Sequence, residues 1–184
     1  MMKKLRVMFA VLVLTFALAV SANAAEVALT SIGQSPDAMM VRVLMKSLGV
    51  IPDYDTVMKP SALTDQKVFV AVVGGSSKGL GAAGINKEDE VKRGDALFKA
   101  AQEKNMKIVV MHVGGEGRRG ALTDLFIKSS VPYANVLILV DGANKDGIFD
   151  KLTKPKNIPV KTAANVSAAK EPLKAVLAGY GIIK

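Results

Sequence analysis

The sequence predicts an α/β fold, a three-layer sandwich in which a mainly parallel sheet of Rossmann or flavodoxin kind carries helices on both faces. Three observations carry that reading. Val68–Val73 and Val136–Val140 are short, unbroken apolar runs, the pattern of strands covered on both sides. Segments of helical period stand between such runs, so strand and helix alternate along the chain. No internal repeat, low-complexity tract or long linker divides it.

The first 24 residues have the layout of a secretory signal. Lys3, Lys4 and Arg6 form a positive start, Val7 to Val20 an apolar run, and Ser21-Ala22-Asn23-Ala24 a small-residue cleavage site. The apolar run falls short of the roughly 20 residues a bilayer span needs. Cleavage after Ala24 is expected, leaving residues 25–184 as a single α/β domain in the periplasm or the medium. Such a chain buries roughly 68–70% of its unfolded surface, enough for a self-sufficient core.

The elements of that domain follow in order. Val27–Thr30 is a buried strand, and Ser31–Gln34 a loop. Ser35-Pro36-Asp37 starts a helix, with Ser35 as N-cap, Pro36 in the first position and an acid in the first turn. Val41, Leu44, Met45 and Leu48 make its apolar face, Gly49 ends it, and Met39, Met40 and Met45 are expected to fill the core. A strand is expected at Tyr54–Met58, then Val68–Val73, with Gly74–Gly84 read as a glycine-rich loop. Asn86 and Asp89 open a charged helix to about Lys104. Lys107–Val113 is a strand, Gly114–Gly120 a loop, Ala121–Ser129 a helix and Val136–Val140 a strand. Asp141–Gly147 is a loop, Ile158–Lys161 an edge strand, and Ala169–Ala178 a last helix stopped by Gly179.

Composition excludes several functions. The chain has no cysteine, which removes disulfides, thiolate catalysis and sulfur-ligated zinc. Of 25 basic residues three lie in the signal, so 22 face 16 acidic ones, a net +6 after cleavage. That charge is not clustered with aromatic residues as nucleic-acid surfaces require. No nucleic acid partner, metal or cofactor is expected. Asp141, Asn144 and Asp146 carry oxygen donors, but their spacing is that of a turn and departs from a calcium loop.

Two motifs overlap within residues 75–84. Gly79-Leu80-Gly81-Ala82-Ala83-Gly84 fits a dinucleotide pattern, yet a strand–helix unit precedes it and no acid ends the following strand. The stretch also lacks the Lys-Ser/Thr pair of a phosphate P-loop. Gly75-Ser76-Ser77-Lys78-Gly79 fits a hydrolase elbow with Ser77 as nucleophile, and His112, the sole histidine, would be its base. The acids between them in the usual order, Glu88, Asp89, Glu90 and Asp95, read as the solvated face of a helix, and His112 closes a strand, where a bond to a loop carbonyl is the plainer role.

The reading that remains is an anion-binding pocket. In parallel sheets ligands sit beyond the carboxyl ends of the strands, where Gly75, Ser76, Ser77, Lys78 and Gly79 follow one strand and Arg118 and Arg119 follow the next. Lys78 and the arginines would neutralise a small anionic or carboxylate-bearing ligand, bound without catalysis. Ser31, Gln34, Ser35, His112 and Glu116 would support it. The chain is too small for two lobes closing on a solute, so a membrane-protein partner is expected.

Three long motifs, Leu29–Ser35, Gly74–Gly84 and His112–Gly120, together resemble an uncharacterised bacterial domain-of-unknown-function family of short exported proteins. The resemblance spans nearly all of residues 26–180. It implies an exported single α/β domain, and brings no reaction or ligand with it.

Overall fold

Six parallel strands make the framework of the computed structural model, which describes residues 25–184; the expected signal segment lies outside the described residues. They are β1 (Val27–Ile32), β2 (Asp53–Tyr54), β3 (Val68–Val73), β4 (Lys107–His112), β5 (Val136–Val140) and β6 (Val160–Ala163). Their order is β2-β1-β3-β4-β5-β6, every neighbouring pair parallel. The order reverses at β1, which places a crevice at the carboxyl ends of β1 and β3.

Among the described residues six α-helices cover the sheet: α1 (Asp37–Ser47), α2 (Ser77–Ala83), α3 (Lys87–Glu103), α4 (Ala121–Ser130), α5 (Ile148–Thr153) and α6 (Lys170–Gly179). Because strand side chains alternate, Phe69, Ala71 and Val73 point to one face and Val68, Val70 and Val72 to the other. The first face packs under α2 to α5 through Leu80, Leu97, Phe98, Phe126 and Phe149. The second packs under α1 and α6 through Val41, Met45, Leu173 and Leu177. Each fully buried aliphatic or aromatic side chain contributes roughly 1.5–3 kcal/mol, so these two layers supply most of the stability of a chain without disulfides.

Several expectations shift. Ser35 is not the N-cap of α1; Pro36 is, and Ser35 Oγ instead accepts the Asp37 amide at 3.2 Å. Gly49 ends α1 as expected, with φ 78° and the Val50 amide bonded back to Met45. Met45 is buried, but Met39 and Met40 are 45% and 51% exposed and fill no core. The expected strand at Tyr54–Met58 shrinks to Asp53–Tyr54, because Asp55 turns the chain by accepting the Val57 amide. The last helix runs through Gly179, and the glycine with positive φ is Gly181.

The largest change is at Gly74–Gly84, which is a loop only as far as Ser76. Ser76 Oγ accepts the Gly79 amide at 3.0 Å and caps α2, which ends at Gly84 in the left-handed region. Gly79 lies inside that helix for want of space: a Cβ there would stand 2.1 Å from the Gln34 carbonyl oxygen.

Candidate functional site

The loops after β1, β3 and β4 meet around one carboxylate. Asp37 opens α1 with its side chain only 10% exposed. Its Oδ2 is buried and has no hydrogen-bond partner. That oxygen lies over two glycines at strand ends: an added Cβ would meet it at 3.4 Å on Gly74 and at 2.9 Å on Gly114. Ser35 completes the wall, its Oγ 3.1 Å from where a Gly74 Cβ would stand. Arg118 lies over Gly114, and its Nε is 3.6 Å from Asp37 Oδ1, an ion pair too long for a hydrogen bond. The Arg118 side chain is 43% exposed, so its guanidinium forms the outer rim.

This gap is held in place by a buried network that sequence reasoning read as a solvated helix face. Glu90 of α3 has no exposed surface. Its Oε1 accepts from the Gly33 amide at 2.8 Å and from Gln34 Nε2 at 3.1 Å, and Arg93 Nε donates to Oε2 at 2.7 Å. Arg93 also donates to the carbonyls of Ser31 and Met58, so the loops after β1 and β2 are tied to one ion pair. Every charge here has a partner, as burial demands. The network holds Gln34 at φ 59°, a conformation that costs a non-glycine residue on the order of 1–3 kcal/mol.

Most expected ligand contacts turn out to be used internally. Ser31 lies within β1, wholly buried, and donates to the Ser35 carbonyl at 3.2 Å. The Gln34 amide is taken by Thr56 and Glu90. The Gly75 amide donates to Thr123 Oγ1 at 2.9 Å, and Leu122 and Thr123 leave no room for a Cβ on Gly75. Gly79 gives its amide to Ser76, whose hydroxyl oxygen is thereby occupied. Ser77 and Lys78 are exposed on the first turn of α2 and make no hydrogen bond or ion pair among the described residues.

Arg119 does not share the gap with Arg118. It turns toward the loop after β5, pairs with Asp124 and Asp146 at 2.8 Å each, donates to the Ala143 carbonyl and lies over the Phe149 ring. Hydrogen bonds donated to Asp146 and then to Asp124 raise its pKa above the usual guanidinium value, and Asp146 is drawn down to about 2 by Arg119. Arg119 thus staples two loops together. Glu116 is exposed and pairs with Lys145.

His112 is fully buried between two carbonyl oxygens, with Nδ1 2.8 Å from Val73 O and Nε2 3.2 Å from Gly115 O. Both nitrogens face backbone carbonyls, so neither is turned toward a serine hydroxyl. The imidazole ties the end of β3 to the start of the Arg118 loop.

Of the twelve residues the sequence singled out, Ser35 and Arg118 border the gap; its central group, Asp37, was seen only as a first-turn acid. The sole sequence signal for it was position, the first acid after the strand at which the order reverses.

With this arrangement in view, comparison with known proteins places the chain. The profile of a family described as Domain of unknown function (DUF6305) matches residues 24–177. The chain belongs to this family. The segments after β1, β3 and β4 that build and brace the Asp37 gap all lie within the range matched by the DUF6305 profile. A comparison with curated proteins gives no match. Among solved structures, the DUF6305 chain is similar to a GDSL-like lipase from Bacteroides thetaiotaomicron VPI-5482, at 8% identity and a TM-score of 0.37, over 85% of this chain and 86% of that one. AlinE4, an SGNH-hydrolase family esterase, is similar at 11% identity and a TM-score of 0.32, over 73% of this chain and 72% of that one. Likeness at this level carries no information about the site.

Proposed function

We propose that this protein is an exported, non-catalytic binding domain for a small polar or anionic metabolite, held at the carboxyl ends of β1, β3 and β4. One observation carries the reading: the half-exposed Arg118 guanidinium stands at the switch point with no partner among the described residues but the loose 3.6 Å contact from Asp37. Arginine is suited to bidentate capture of a carboxylate or phosphate, and a charge held this loosely is available to a ligand. Two observations support a non-catalytic reading: the His112 nitrogens are turned to carbonyls, and Ser77 stands alone on α2.

Export rests on the composition of residues 1–24, and the single sheet of the described residues favours work beside a membrane-protein partner over solute capture between lobes. No helix of the described residues is long and apolar enough to cross a membrane. The test is a thermal-shift screen of small carboxylates, phosphates and amino acids on the wild type and on Arg118→Ala. A compound that raises the wild-type melting temperature and not that of the variant supports the site. A broad screen without a shift refutes it.

A further inference from the structure

We infer that the ligand is a zwitterion, a small molecule carrying an ammonium group beside a carboxylate, as α-amino acids do. This rests on the reading of the Asp37–Arg118 gap as a binding site, and it names the chemical class the gap selects.

The argument starts from the orphaned oxygen. Asp37 is nine-tenths buried, and its Oδ2 accepts no hydrogen bond. A buried carboxylate oxygen without a donor is costly, and proteins rarely leave one unless a ligand, ion or water completes it. Oδ2 lies over Gly74 and Gly114, whose missing side chains let Ser35 and Arg118 close around it. Main-chain amides of the first turn of α1 do not reach it. What this oxygen lacks is a donor, and a charged donor satisfies it best.

The second pole is Arg118. Its contact with Asp37 passes through Nε and Oδ1 at 3.6 Å, so the pair is close enough to neutralise each other and too far apart to bond. A simple anion caught by Arg118 would face the Asp37 charge and would leave Oδ2 still empty. A simple cation caught by Asp37 would face Arg118. A zwitterion meets both: its ammonium donates to Oδ2, its carboxylate accepts from Arg118, and the gap stays neutral. The neutral donor beside them is Ser35, whose Oγ accepts the Asp37 amide and whose proton has no acceptor among the described residues. Arg118 Cβ and Cγ stand where a Gly114 side chain would, so the ammonium reaches Oδ2 as the half-exposed Arg118 side chain turns outward to meet the carboxylate.

Other parts of the molecule carry less. The lysine-lined hollows beside Tyr133 and beside Tyr180 hold no buried unpartnered group, and the exposed Met39, Met40 and Val43 have nothing that identifies a cover.

The experiment is calorimetric titration of the protein with L-amino acids across side-chain sizes, each beside its deaminated carboxylate and its decarboxylated amine. At least one amino acid binds, and its matched carboxylate and amine bind at least tenfold more weakly. Asp37→Asn brings the amino acid down to the level of the carboxylate, and Arg118→Ala abolishes both. A carboxylate that binds as tightly as its amino acid, and more tightly to Asp37→Asn, overturns the zwitterion and leaves the anion site standing. Binding of neither class, with Arg118→Ala without effect in any screen, overturns both. If Asp37→Asn does not fold, the wild-type comparison of amino acid with carboxylate decides alone.

Discussion

Glu90 Oε1 accepts the Gly33 amide at 2.8 Å, so an acid on α3 fixes the first residue after β1. Removing that acid leaves Arg93 buried without a counter-charge and frees the Gly33 and Gln34 donors. Glu90→Ala is therefore expected to destabilise the fold by roughly 3–5 kcal/mol, measured by urea unfolding. A loss below about 1 kcal/mol would mean the pair is solvated.

Two glycines of α2 should respond in opposite directions. Gly81→Ala adds a methyl into open space in a helix and is expected to stabilise by about 0.5–1 kcal/mol. Gly79→Ala drives a Cβ to 2.1 Å from the Gln34 carbonyl oxygen and is expected to destabilise by about 1–3 kcal/mol. Equal effects would contradict the packing of α2 on the β1 loop.

Acid unfolding reports the Arg119 staple. Asp146 is held at about 2 in the folded chain by Arg119, below its ordinary 3.8. A depressed carboxyl contributes stability that is complete above the unfolded value and is lost as the pH falls through the folded one. Stability is expected to decline from about pH 4 to about pH 2, and less steeply in Asp146→Asn. Arg119 stays charged throughout, because its own pKa is raised. An unchanged slope in the variant would show the staple open in solution.

Non-catalysis is open to chemical test. A fluorophosphonate should label no serine, and mass spectrometry of the digested protein would locate any adduct. Labelling at Ser77 that disappears in Ser77→Ala would return the molecule to the hydrolases.

How far the sequence could be read follows from which facts are local. Val68–Val73 and Val136–Val140 announced themselves, since strands buried on both faces need apolar residues at every position. The helix starting at Ser77 did not, because Gly79, Gly81 and Gly84 look like a loop until the Gln34 backbone is seen lying against one of them. Glu90 and Arg93 have the i, i+3 spacing of an ordinary surface pair, and only the return of β1 and β2 loops over them makes the pair a buried one. Arg118 and Arg119 are adjacent yet part ways, the second drawn off by Asp124 on α4 and by Asp146 on the loop after β5. Asp37 was legible as a helix-opening acid; its empty oxygen depends on two glycines from distant strands.

The most direct test is to see where a ligand sits. Amide chemical shifts of the labelled protein, followed by NMR during titration with the amino acid that binds best, should move at Asp37, Gly74, Gly114 and Gly115, around the gap. Movements confined to α2 at Ser77 and Lys78, or to the lysine-lined surfaces, would contradict the account.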